Sequence, residues 1–240
     1  MAKIFDFKLV FTQIPQLLKY LPVTLELSIL AMLFGLLFGL LLAIIKIKKV
    51  PGLQKVAAFY ISIIRGTPIL VQLYIAYFGI PMFFKWFNLK FGTDIRVADI
   101  PGFFYAVFAM ATNEAAYNAE VIRSALQSVG EGQVEAANAL GMTYFQALRR
   151  IILPEAFAVA LPTLGNAFIS VIKSTSLAFT CAVVEITAQG KIIGGMTYRY
   201  FEVYVSLAII YWIITIVIEQ IVKFIEKRIA IPEQPEPFVE

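Results

Sequence analysis

The chain has 240 residues, 60% hydrophobic and 15% charged, with no histidine, a single cysteine (Cys181) and a net charge of +4. Its mean hydropathy is +0.81, more apolar than a soluble core of this length can absorb, so the expectation is one membrane domain without a second soluble one. One cysteine excludes an intrachain disulfide, the lack of histidine removes the commonest general base and metal ligand, and the small net charge gives no footing to a nucleic-acid partner.

Residues 3–19 mix apolar and basic positions, which suits either a short helix on the membrane surface or a disordered segment. No charged start, apolar middle and small-residue cleavage site is visible there, so the N-terminus is expected to be kept. A first spanning helix is predicted from about Leu21 to Ile45, ended by Lys46, Lys48 and Lys49. Within it Gly35 and Gly39 form a GxxxG pair, which lets helix backbones approach closely or simply reflects the frequency of glycine in such helices. Pro51-Gly52 makes a turn, and a second helix is predicted from Val56 to Phe84 with a break at Arg65-Gly66-Thr67-Pro68. Proline removes a backbone donor, and a broken helix is tolerated where protein or a wet cavity surrounds it. Residues 85–100 read as a charged surface loop, and a third helix runs from Phe103 to Arg123. After a polar stretch and Pro154 come a fourth helix, Glu155 to Val184, a glycine-bearing loop, Glu185 to Arg199, and a fifth helix, Phe201 to Val222. The proline- and glutamate-rich end, 229–240, is expected to be disordered. With five spans and a cytoplasmic C-terminus, ten basic residues lie inside and eight outside, and the dense clusters beside helix ends favour that orientation.

Ionisable groups inside spans are costly and usually face a bundle interior or a cavity. Asn113, Tyr117, Glu120 and Ser124 share one face of the third helix, with Glu114 and Asn118 beside it. Asn166, Ser170, Lys173 and Ser174 form a stripe on the fourth, and Arg65 and Gln72 share a face of the second. These stripes either line a translocation path or glue helices together. As a path, Lys173 would hold a carboxylate, Glu114 or Glu120 an ammonium, and the hydroxyls of Ser174, Thr175 and Ser176 would add hydrogen bonds. Glu120 and Arg123, three apart, also fit a plain structural pair.

The stretch from Glu131 to Pro154 is predicted to form two short helices around Gly141. Val134, Ala137, Leu140, Met142, Phe145 and Leu148 would give it an apolar docking face, or it is an amphipathic connector without a partner. Here Glu135-Ala136-Ala137, Gly141 and Ile151-x-Leu153-Pro154 match at every position the EAA-x3-G-x9-I-x-LP loop of ABC importer permeases, and the chain resembles that family. Arg65-Gly66-Thr67-Pro68 with Gln72, Ala116-Tyr117, Gly132-Gln133 and Lys173-Ser174-Thr175-Ser176-Leu177 resemble its polar amino-acid branch, over about residues 20–228. Ser174 departs from the acidic residue or asparagine frequent there, and Asn118 from a small or apolar one, which bears on specificity.

The resemblance implies an all-α polytopic fold of five transmembrane helices, the type I importer transmembrane domain (MetI-like). The domain would cover 21–228, after a surface segment 1–20, with a coupling loop at about 131–153. Arg65, Thr67, Gln72, Asn113, Glu114, Tyr117, Asn166, Lys173, Ser174, Thr175 and Ser176 are the candidate path residues. Gln133, Glu135, Ala136, Ala137, Gly141, Leu153 and Pro154 are the candidate coupling residues. Implied partners are two copies of an ABC ATPase, a second permease subunit in a homodimer, an external solute-binding protein, an amino-acid substrate, slightly favouring cystine or a basic one, and the bilayer of a bacterial cell membrane. No P-loop (G-x4-G-K-[ST]) occurs, so the ATPase is expected on another chain, and no catalytic residue, metal or cofactor is expected in this one. Two alternatives stand beside this. A secondary transporter would need coupling carboxylates and internal repeats, and no repeat is visible. A membrane-embedded enzyme would have to use Lys173 with Ser174 or Ser176.

Overall fold

The computed structural model describes residues 4–229, the side chains of Ala98 and Glu131 excepted; the tail expected to be disordered lies outside the described residues from 230 onward. The described residues are mostly helical and contain no strand. In chain order the helices are α1 (Phe7–Leu18), α2 (Leu21–Ile47), α3 (Leu53–Gly66), α4 (Ile69–Tyr74), α5 (Ile80–Phe91), α6 (Gly102–Ser128), α7 (Glu131–Ala139), α8 (Tyr144–Ala147), α9 (Leu153–Ser174), α10 (Ile186–Thr197) and α11 (Tyr200–Ile229). Wide turns at Ile75–Gly79 and Leu148–Ile152 keep α4 running into α5 and α8 into α9, and a tighter coil, Thr175–Cys181, extends α9. Four helical stretches are long and apolar enough to cross a membrane: Leu21–Ile47, Ile69–Phe91, Tyr144–Cys181 and Tyr200–Ile229. The fifth expected span, α6, has 27 residues, about 40 Å at the usual helical rise. Asn113, Glu114, Asn118, Glu120 and Arg123 dilute its apolar character, so its length and central packing, more than its hydropathy, mark it as a span.

α2, α3, α4 and α9 pack around α6, while α1, α10 and α11 pack on one another and α11 on α9. The small residues Ala106, Ala109, Ala115, Ala116 and Ala119 of α6 are buried. The GxxxG pair of α2 lies on them: a Cβ on Gly35 would stand 2.5 Å from the Cβ of Glu114, and one on Gly39 would stand 3.1 Å from the backbone nitrogen of Ala119. Lipid supplies no hydrophobic drive between helices, so such close approach lets dispersion hold the pair together. Because Gly35 meets Glu114 and Gly39 meets Asn118 and Ala119, α2 and α6 run parallel. The α2–α3 turn and the α7–α8 pair therefore share one side of the membrane.

Three boundaries differ from the sequence reading. The break at Thr67-Pro68 separates two helices, and the span is Ile69–Phe91 rather than Val56–Phe84. Thr67 and Pro68 are extended (ψ 143° and 139°), as expected for a residue before proline and a proline without an amide donor. Part of the supposed loop 85–100 is the end of α5. The supposed loop 185–199 is mostly helix α10, because Gly190 and Gly194 let it press against Leu207 and the Tyr200 ring; added Cβ atoms would come within 2.7 and 2.5 Å of them. α1 forms the expected short helix and is latched to α11, where the Ser206 hydroxyl donates to the Val10 carbonyl at 2.7 Å.

Candidate functional site

The helix break gathers five of the candidate path residues against α6. Gln72 Nε2 donates to the Ile64 carbonyl at 2.8 Å and to the carbonyl and hydroxyl of Thr67 at 3.1 and 2.9 Å. Its Oε1 accepts from Asn113 Nδ2 at 3.0 Å. One buried amide thus covers the Ile64 carbonyl that Pro68 leaves without a helical donor and the carbonyl of extended Thr67, and ties the break to α6. The Arg65 guanidinium lies 5.3 Å from the Tyr117 ring centroid, within cation–π range. Arg65 and Gln72 consequently do not share a helix face, as the sequence reading had it; they stand on separate helices on either side of the break and reach different residues of α6.

The residues of α9 form a second group, which no hydrogen bond or ion pair joins to the first among the described residues. Lys173 is exposed and makes no ion pair there. Ser170, Ser174 and Ser176 each donate to a backbone carbonyl three or four residues back, those of Asn166, Ser170 and Lys173. Their oxygens keep acceptor capacity on that face. Thr175 is fully buried, donates to the Ile172 carbonyl, and does not share it. Asn166 lies at the other end of the stripe, in a crevice of about 210 Å³ between α9 and α11 with Glu219 and Lys223.

On α6, Glu120 is held by Lys46 of α2 and by Arg123, whose Nε donates at 2.9 Å. Glu120 therefore acts as a tie between α2 and α6. Glu114 is partly buried with an Oε2 that has no hydrogen-bond partner among the described residues, and Asn118 is fully buried with its Nδ2 facing the sulfur of Met32 at 3.7 Å.

The EAA stretch forms α7. Gly141 then turns the chain at φ +76°, in the left-handed region that favours glycine. α8 begins with a reciprocal cap between Thr143 and Gln146. Ala137 is buried inside the pair, while Glu135, Ala136 and Gly141 are exposed and Gln133 half-buried. Leu153 and Pro154, at the start of α9, are exposed. The expected apolar face divides: Ala137 packs inward, Leu140 and Phe145 point out at 79% and 68% exposure, and Tyr144 joins them.

Sequence reasoning missed a buried polar knot around Glu185. This carboxylate is fully buried and caps α10, accepting from the backbone nitrogens of Thr187 and Ala188 at 3.0 and 2.7 Å and from the Tyr211 hydroxyl at 3.2 Å. Thr187 meets the same hydroxyl at 2.9 Å, and Thr24 of α2 accepts from the Ile186 nitrogen at 3.3 Å. An acidic residue just before Ile186-Thr187-Ala188 was the available cap signal; the glycines that follow obscured it.

Comparison with known proteins settles the family. Residues 35–231 match the family described as binding-protein-dependent transport system inner membrane component. The chain belongs to this family. It is 40% identical over 227 residues to a protein of Bacillus subtilis (strain 168) named probable amino-acid permease protein YxeN, covering 95% of this chain and 97% of that one. It is 39% identical to the L-cystine transport system permease protein TcyL of the same organism, covering 95% and 93%. A solved structure described as an amino acid ABC transporter with histidines superposes with a TM-score of 0.78 at 38% identity, over 94% of this chain and all of that chain. The permease is thus a non-catalytic membrane subunit with the type I importer fold, whose family works with an ATPase and a binding protein on other chains. The secondary-transporter and enzyme alternatives find no support.

Proposed function

We propose that this chain pairs with a second copy of itself to form the path of an ATP-driven importer for a polar amino acid, cystine or a basic one. The names of its relatives support the substrate class, and the stripe of exposed Asn166, Ser170 and Lys173 with half-buried Ser174 supports the pairing. Such a stripe is costly against lipid and comfortable along a wet path between two subunits. The break cluster of Arg65, Thr67, Gln72, Asn113 and Tyr117, with Glu114 beside it, is the flexible joint of that path. Residues 21–228 form the transporter domain behind the surface segment α1. Two ATPase copies sit on the α7–α8 side with the C-terminus, in the cytoplasm of a bacterial cell, and the external binding protein delivers to the opposite side.

The observation that carries this reading is a continuity of helix. α8 runs through its wide turn into α9 without interruption, and α7 is joined to α6 by only two extended residues, Val129 and Gly130. Any displacement of the α7–α8 pair by a docked ATPase is therefore delivered to α6 and α9, the two helices with the polar stripes. Glu135 and Ala136 face outward to receive it, with Gln133 beside them. The test is Glu135→Lys in the permease reconstituted in vesicles with its partners, read by uptake of labelled cystine, arginine and histidine. Uptake should fall roughly tenfold or more, as for a charge reversal in a docking face, with insertion of the chain unchanged. Full uptake by that variant would remove the coupling role, and no uptake of all three substrates by the parent would remove the substrate class.

A further inference from the structure

An apolar groove of about 700 Å³ opens outward between α2, α3 and α6. Phe38, Leu41 and Ile45 of α2, Leu53 and Val56 of α3 and Phe108 of α6 line it, and all but Ile45 are exposed along their own helices. α3 packs on the pair α2–α6 through Ile61, against Ala116 and Ala119 of α6, and the Tyr60 hydroxyl donates to the Thr112 carbonyl at 2.7 Å. No water fills an apolar cleft inside a bilayer, and an empty one forfeits the dispersion contacts of every wall. Hydrocarbon is the filling this lining asks for.

The mouth of the groove says what carries that hydrocarbon. Ile45 and Leu53 bracket the α2–α3 turn, and Lys48, Lys49 and Lys55 stand on and beside it, all three exposed. None makes an ion pair among the described residues. Between Glu26 and Asp94 the sequence contains no acidic residue at all, and Glu120, the nearest carboxylate on α6, is already held by Lys46 and Arg123. Three unopposed cations at the headgroup level, above a hydrocarbon-lined groove, are complementary to an anion with an acyl tail. We infer that this groove binds an anionic phospholipid of the leaflet on the α7–α8 side, with an acyl chain between α3 and the α2–α6 pair and the phosphate group on Lys48, Lys49 and Lys55. A lipid there braces the flank of the α3–α4 break, whose other side is tied to α6 through Gln72 and Asn113. The inference needs only the membrane setting of the chain and is independent of which solute it carries.

The test uses the full chain purified from membranes in mild detergent, titrated with fluorescent phosphatidylglycerol and with phosphatidylcholine bearing the same chains. Saturable binding that favours phosphatidylglycerol is expected. Lys48→Gln, Lys49→Gln and Lys55→Gln together should weaken it roughly tenfold or more, towards the phosphatidylcholine value. Val56→Trp, at an exposed rim position, should weaken both lipids by occupying the groove. Equal binding of the two lipids by the parent, or undiminished phosphatidylglycerol binding by the triple variant, would overturn the site. Cross-linking of a Val56→Cys chain to a second copy at that position would also overturn it, by showing that a protein helix covers the groove.

Discussion

The chain reverses direction through a short helix on each side of the membrane, and the two reversals are built in opposite ways. Between α6 and α9 the α7–α8 pair turns at left-handed Gly141 and leaves Leu140, Tyr144 and Phe145 exposed. Between α9 and α11, α10 is capped by buried Glu185, and its Ile186 and Ile193 join a core with Leu17, Val203, Leu207 and Ile210. One reversal buries its cap and its Ile186 and Ile193 within the chain, although Ile192, Met196 and the following Tyr198 stay exposed. The other holds its backbone in order and offers its apolar groups outward. Large apolar side chains left exposed on a connector fit a surface that another protein covers, and the buried acidic cap, which only the α10 reversal has, is what separates the two turns.

The largest expected effect falls on the buried cap of α10. Glu185→Ala deprives two backbone nitrogens and the Tyr211 hydroxyl of their acceptor, and should cost about 2–3 kcal/mol. The unfolding midpoint in mild detergent reads this, and an unchanged midpoint would mean that apolar packing alone holds α10. A smaller effect is expected at the other turn. Gly141→Ala forces a Cβ into the left-handed region at about 1 kcal/mol. Because nothing lies within 4 Å of the added atom, the loss should be confined to the α7–α8 pair, visible as faster hydrogen exchange of α7 amides and not of α10 amides. The smallest stability effect should come from Leu140→Ser combined with Phe145→Ser, within about 0.5 kcal/mol. That variant should nevertheless fail to co-purify with the ATPase; retained co-purification would erase the contrast between the two reversals.

Much of this was readable in advance where the physics is local. Gly35 and Gly39 read equally as a close-approach pair or as ordinary membrane-helix glycines, and their contact with α6 decides for the first. Glu120 and Arg123, three apart, do pair, though Lys46 of α2 was not foreseen as the third member because 74 residues separate it from Glu120. Gln72 was read as sharing a face with Arg65, since periodicity carries straight through a break that the structure turns into a corner. Glu185 was lost inside an apparent loop, because Gly190 and Gly194 look like helix breakers until Leu207 and Tyr200 are seen occupying the space where side chains would have been.

What the sequence determined by itself was whatever depends on composition and short spacing: a chain for the bilayer, the places of its hydrophobic runs, the break at Thr67-Pro68 and the turn at Gly141. Hydrophobic transfer and backbone stereochemistry act residue by residue, and so they are legible residue by residue. The tertiary structure alone decided which polar groups face partners and which face each other. A buried hydrogen bond such as Asn113 to Gln72, or a cap such as Glu185 with Tyr211, exists only once distant helices are packed. Its energy depends on exclusion from solvent, which no local pattern encodes.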